Sequence, residues 1–314
     1  MTTISNRLRA LHWAVILAAL AAMFGCSDKT SDQHASPYHK VKEENKYKVK
    51  KIPPAIMDSL RVKKQRYQIT RDAYWDDKGG VLENSYLEVW YPPGVTTVTH
   101  GMHVFEQIVL ARQKVKDFFG VVPLWKLKVV CTPEMEDFKK ITGRDWWQYS
   151  KIEDRQITYQ PIYILYQRKL DVIAVQHEYF EWAVDRLSDN QLPRWIEEGL
   201  ASYLSGEEKV LAAQLTEYPD ANLEMPVEEI EKLLRTEKDR KLTRIAYYHA
   251  YRMVQTLIDK EGEFKLATLI LRLGDGVNKD QAYSLVFNKP YADVLAEATD
   301  YSIDKMVKPV EDKP

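Results

Sequence analysis

Two predicted helices between residues 171 and 203 constrain this chain more than any other feature. Apolar residues recur with a helical period from residue 171 to about residue 187. A polar link of four residues follows, and Pro193 is typical of the start of a second helix. Trp182 and Trp195 are large apolar side chains on the two segments, so we expect them to pack the helices together.

Charged side chains on these two helices form the second informative pattern. His177 and Glu181 are four positions apart, and because 3.6 residues make one turn, both lie on the same helix face. A hydrolytic zinc site needs three protein ligands and an open fourth position for water. Glu198, on the second helix, completes such a set with His177 and Glu181. Glu178 projects beside the ligand face and is the candidate general base that takes a proton from water.

The segment Leu192–Tyr203 reads Leu-Pro-Arg-Trp-Ile-Glu-Glu-Gly-Leu-Ala-Ser-Tyr. It resembles the Leu-Pro-x-Trp-x-x-Glu-Gly-x-Ala-x-Tyr segment of the gluzincin metallopeptidases, especially the bacterial peptidase MA-like group. The resemblance covers roughly residues 86 to 300. It implies a zincin-like metallopeptidase fold, Zn²⁺ as the cofactor and Glu198 as the third metal ligand. It also implies a tyrosine hydroxyl that stabilises the oxyanion, for which Tyr247 is the candidate and Tyr248 and Tyr251 compete.

Glu181 is where this chain departs from the family, which has a second His at that position. One imidazole and two carboxylates neutralise a divalent ion, so water at this site is expected to be a weaker acid than in the usual site. Two alternatives to a zinc site with these three ligands are a harder metal such as Mn²⁺ and the use of His249 as a replacement ligand. A further alternative is that Glu178 and Glu181 only face solvent or pair with Arg186 and Arg194.

Two functional hypotheses follow from these residues. The first is a zinc-dependent peptidase of the cell envelope that hydrolyses peptide bonds in a peptide or protein substrate. The alternative is a catalytically inactive pseudo-peptidase without metal, which acts as a lipid-anchored module that binds peptides or proteins. A purely structural lipoprotein is a third possibility. No nucleic-acid partner is expected, because the formal net charge is -1 and no basic motif is interleaved with stacking aromatics.

The N-terminus predicts export and lipid anchoring. Residues 1–25 carry Arg7 and Arg9 before an apolar run that is too short to span a bilayer, as in a secretory signal peptide. Gly25 followed by Cys26 resembles the lipobox of bacterial lipoproteins, in which this Cys receives the lipid. An ordinary cleaved signal is the alternative. The expected location is the cell envelope, facing the periplasm from the outer membrane where the cell has one.

The order of strand and helix signals predicts an α+β fold, with strands at residues 66–70 and from Gln156 to Tyr166 and a helix from roughly residue 101 to 119. An N-terminal mixed β-sheet with helices precedes a helical C-terminal part, and the motif helix lies where they meet. We divide the chain into the signal peptide 1–25, a polar tether 26–60 leading into an edge strand, the peptidase-like domain 61–301 and a disordered tail 302–314.

The remaining cysteine and histidines are interpreted as structural. Cys131 ends an apolar strand signal and is expected to be buried, with no disulfide partner. His100 and His103 lack a matching acidic residue in the sequence, and we expect them in a loop or at the start of a helix.

Overall fold

The computed structural model describes residues 48–51, 80–92, 95–218 and 224–301. These residues all belong to one compact unit, Tyr47–Pro314. The predicted signal peptide, Cys26, a strand expected at residues 66–70 and the predicted tail lie outside the described residues.

A mixed sheet of six strands occupies the first part of the described chain. In chain order, β1 to β6 are Lys48–Lys51, Gly80–Glu83, Leu87–Tyr91, Leu127–Cys131, Ser150–Glu153 and Gln156–Tyr159. Their order in the sheet is β1-β2-β3-β4-β6-β5. The central strands β3, β4 and β6 are parallel, with Val89 opposite Val129 and Val129 opposite Ile157. All three side chains lie on the same face of the sheet and are fully buried.

Helices make up most of the remaining described residues. In chain order, α1 to α11 are Val95–Phe119, Met135–Thr142, Ile162–Gln167, Asp171–Leu187, Arg194–Ser205, Glu208–Leu215, Val227–Thr236, Arg240–Glu261, Glu263–Gly274, Lys279–Phe287 and Tyr291–Ala298. None of the described helices combines the length and the apolar character that crossing a bilayer requires.

The helices α4, α5 and α8 pack together and carry the residues of interest. Trp182 of α4 and Trp195 of α5 are almost completely buried. Gly199 lets α5 approach α8 closely, because a Cβ atom there would overlap the carbonyl oxygen of Ala250. The glycine that follows Glu198 in the motif therefore has a packing role.

The α+β class predicted from the sequence is confirmed, and so are the bounds of the motif helix α4. The strand predicted from Gln156 to Tyr166 is wrong beyond Tyr159. Pro161 precedes α3 as its N-cap residue, since proline has no N–H for a sheet neighbour and suits the start of a helix. The sequence does not predict β5, because four residues are too few to show alternation.

At the other edge of the sheet, β1 pairs with β2 and lies within the residues assigned to the tether. Cys131 is buried at the end of β4, as predicted. His100 and His103 lie on α1, which begins at Val95 instead of near residue 101.

Candidate metal centre and catalytic cleft

His177, Glu181 and Glu198 converge in the structure. All three are buried, and each offers one ligand atom such that these atoms lie within 4.8 Å of one another. Nε2 of His177 is 3.2 Å from Oε2 of Glu198, close to the separation of about 3.3 Å between two ligands of a tetrahedral zinc ion. Imidazole and carboxylate are both ligands of zinc. The residue types therefore suit a divalent cation, and binding one would draw together ligand atoms whose separations reach up to 4.8 Å.

Arg194 contacts the same two carboxylates. Its Nη2 atom lies 2.6 Å from Oε1 of Glu181 and 2.6 Å from Oε1 of Glu198, and its Nη1 atom lies 2.8 Å from Oε2 of Glu197. The ion pair between Glu181 and Arg194 is one that the sequence raised as an alternative to metal binding. Arg186, the other arginine considered there, pairs with Asp154 and Asp185 instead.

Glu207 is a residue of the site that the sequence did not reveal. Its Oε2 atom lies 3.0 Å from Nδ1 of His177 and accepts a hydrogen bond of 2.8 Å from the Ser202 hydroxyl. A carboxylate on the second ring nitrogen fixes the orientation of a metal-ligating imidazole. The only local signal is Gly206, whose left-handed backbone (φ 76°) ends α5 and turns the chain to Glu207.

The surroundings raise the pKa of one carboxyl group of the site and lower the pKa of another. Burial raises the pKa of Glu178 to about 8, and the neighbouring charge of Glu181 adds to this rise. Burial also tends to raise the pKa of Glu198, but Arg194 and His177 outweigh it and hold that pKa below its usual value. The surroundings thus favour the ionised form of Glu198 and the protonated form of Glu178.

Burial and neighbouring charges have opposite effects on the pKa of His177. Burial lowers the pKa of an imidazole, but the carboxylates of Glu207 and Glu198 raise the pKa of His177 well above its ordinary value. This rise favours the imidazolium form, in which Nδ1 can donate to Glu207 and Nε2 to Glu198. A metal has to displace the proton from Nε2 before that atom can act as a ligand.

Tyr247 reaches the site from α8. Its hydroxyl donates a hydrogen bond of 2.6 Å to Oε1 of Glu237 and lies 3.4 Å from Oε1 of Glu198. Tyr248 and Tyr251 instead pack in a separate apolar cluster with Leu211 and others. The geometry therefore favours Tyr247 among the three tyrosines that the sequence left open.

The site opens into a cleft with a volume of about 380 Å³. His177, Glu178, Glu181 and Tyr247 all line it. Ser150 and Ile152 of the edge strand β5 also line this cleft. The candidate ligands His177 and Glu181 and the candidate base Glu178 thus share one cavity with a sheet edge, while Glu198 is completely buried.

The other candidate residues lie elsewhere. His249, which the sequence allowed as a replacement ligand, contacts Tyr301 and does not belong to the convergent group. His103 lies 2.9 Å from Asp171, an acidic partner that the sequence did not identify. Burial raises the pKa of the Cys131 thiol to about 12.

Comparison with known proteins gives no matching family model and no matching curated relative for this chain.

Proposed function

We propose that this chain is a zinc-dependent peptidase with a zincin-like fold. His177, Glu181 and Glu198 hold the ion, and Glu178 is the general base. The observation that carries the proposal is the convergence of three buried ligand atoms, with His177 and Glu181 lining the same cleft as Glu178. Charged residues that merely shared one exposed helix face would give no reason for a third potential ligand from another helix to lie at the same point.

A divalent ion held by His177, Glu181 and Glu198 would polarise the substrate carbonyl and lower the pKa of the attacking water. Glu178 accepts a proton from the attacking water and passes it to the leaving amine. The hydroxyl of Tyr247 exchanges its hydrogen bond with Glu237 for one to the oxyanion. Glu207 keeps the ring of His177 in the orientation that presents Nε2 to the cleft.

The edge strand β5 supports a peptide substrate. It pairs with β6 on one side and lines the cleft with Ser150 and Ile152. An extended peptide can add to such an edge through main-chain hydrogen bonds. The substrate class is therefore an extended segment of a peptide or protein. The envelope location and the lipid anchor at Cys26 are part of the same proposal and rest on the N-terminal sequence pattern.

Arg194 favours a second candidate function, a pseudo-peptidase that binds peptides without cutting them. Its guanidinium bridges two of the three candidate ligands. A protein cation that stabilises these carboxylates removes the need for a metal. The cleft and its sheet edge would remain available to a bound peptide.

Metal content and a base variant together test the proposal. We expect the purified protein to contain close to one equivalent of zinc by mass spectrometry after removal of loosely bound ions. We expect Glu178→Gln to keep the zinc and to lose cleavage of a peptide library by a factor of roughly 10² to 10⁴. Cleavage at equal rates by both proteins would indicate a contaminating peptidase. Protein that holds no zinc and cleaves nothing would leave only the pseudo-peptidase.

A further inference from the structure

We propose that Arg194 competes with the divalent cation for Glu181 and Glu198, and that it thereby sets the metal affinity of the site. The inference rests on the proposed function, because it concerns the same candidate ligands. It assigns a role to a residue that the motif comparison leaves without one.

The contacts of Arg194 place a positive charge directly on the ligand set. A single nitrogen, Nη2, lies 2.6 Å from an oxygen of Glu181 and 2.6 Å from an oxygen of Glu198. The side chain of Glu198 is completely buried and that of Arg194 is only 20% exposed. Charge–charge interactions are strong at this distance and degree of burial, because little water screens them.

An ion bound to the same carboxylates would lie within a few ångströms of the guanidinium. The two cations repel each other. When a metal binds, the favourable interaction of Arg194 with the carboxylates of Glu181 and Glu198 is therefore weakened or lost, which makes metal binding less favourable. Oε2 of Glu198 faces His177, whereas Oε1 faces Arg194. Metal binding through Oε2 therefore has to proceed against a guanidinium held on the other oxygen of the same group.

Arg194 has an alternative place close to its present one. Nη1 is already 2.8 Å from Glu197, which is three positions further along α5. A second cavity beside Arg194 is lined by Glu197 and Glu231. The guanidinium can therefore keep one carboxylate partner and move away from Glu181 and Glu198 when a metal enters.

The pairing also explains why a Glu at position 181 matters. A neutral imidazole at position 181 could not form an ion pair with Arg194, so one carboxylate fewer would hold the guanidinium in place. Glu181 and Arg194 act as a pair, in which the negative charge added to the ligand set is matched by a positive charge next to it. The pair lowers the affinity for metal relative to a site that has Glu181 alone.

Zinc affinity measured without any substrate tests this inference. The full chain and its Arg194→Gln variant are freed of metal with a chelator and titrated with Zn²⁺ against a chromophoric competitor. We expect Arg194→Gln to bind zinc at least about tenfold more tightly than the parent. Arg194→Lys keeps a charge but not the fork that bridges two carboxylates, and we expect an intermediate affinity. It also serves as the test if Arg194→Gln does not fold.

Arg186→Gln is the matched control. Arg186 also lines the cleft, but it pairs with Asp154 and Asp185 and contacts none of the three candidate ligands. Its zinc affinity should equal that of the parent. An equal gain in affinity in Arg186→Gln and Arg194→Gln would show a general effect of removing a positive charge and would overturn the competition.

The outcomes separate this inference from the proposed function. Zinc bound equally by the parent and Arg194→Gln, or more weakly by the variant, overturns the competition while the zinc site stands. Zinc bound by Arg194→Gln alone supports the competition and rejects the parent as a zinc enzyme. Zinc bound by neither protein rejects both proposals.

Discussion

Gly199 offers a test of the packing on which the whole site depends. A Cβ atom at this position would lie 2.7 Å from Cγ2 of Val254 and closer still to the carbonyl oxygen of Ala250. The side chain of Val254 can adjust, but the carbonyl belongs to the backbone of α8. In Gly199→Ala, helices α5 and α8 must therefore move apart by about 1 Å, because protein interiors have few voids to absorb the methyl group.

The expected cost follows from two opposing terms. Overpacking of a tight interface costs about 1–3 kcal/mol. Alanine in place of glycine within a helix returns up to about 1 kcal/mol. We expect a net destabilisation of about 1–2 kcal/mol, which corresponds to a decrease in Tm of roughly 2–8 °C for a domain of this size. Thermal unfolding followed by circular dichroism in the presence of a chelator measures it without a contribution from metal.

Gly120→Ala is a suitable control for Gly199→Ala. Gly120 has a left-handed backbone (φ 75°), and no atom lies within 4 Å of a Cβ placed there. The substitution should cost about 1 kcal/mol through backbone strain alone. The two variants then lose similar stability, but only Gly199→Ala displaces Glu198 and weakens zinc binding. A Tm for Gly199→Ala equal to or above that of the parent would refute the close approach of α5 and α8.

Two further predictions concern single side chains. Glu207→Gln should weaken zinc binding by about 10- to 100-fold, because a neutral amide orients the His177 ring less firmly than a carboxylate; the competitor titration measures it, and an unchanged affinity would contradict the role of Glu207. The Cys131 thiol, studied in a Cys26→Ser background, should react with a disulfide reagent at pH 8 roughly a thousandfold more slowly than an ordinary thiol. Its raised pKa of about 12 keeps it protonated, so reactivity should appear only as the pH approaches that value or after unfolding in denaturant; rapid labelling of the folded protein at pH 8 would show that the thiol is accessible.

Local sequence patterns were sufficient to predict much of the fold. The helical period identified the motif helix with both of its bounds, and Pro193 marked the start of the next helix. Both signals depend on residues close together in the chain. The strand predicted beyond Tyr159 failed because an apolar run does not distinguish a strand from a short helix. The preceding Pro161 was the cue that favoured the helix.

The sequence by itself determined which residue types could form a metal site and placed them on two adjacent helices. His177 and Glu181 are joined by helix geometry, so their common face was predictable from spacing. Only the tertiary structure brought Glu207 to the imidazole and Arg194 to the carboxylates of Glu181 and Glu198. The reason is physical: the direction of a side chain across a helix interface depends on packing between elements, and this packing is not encoded in the spacing of any single segment.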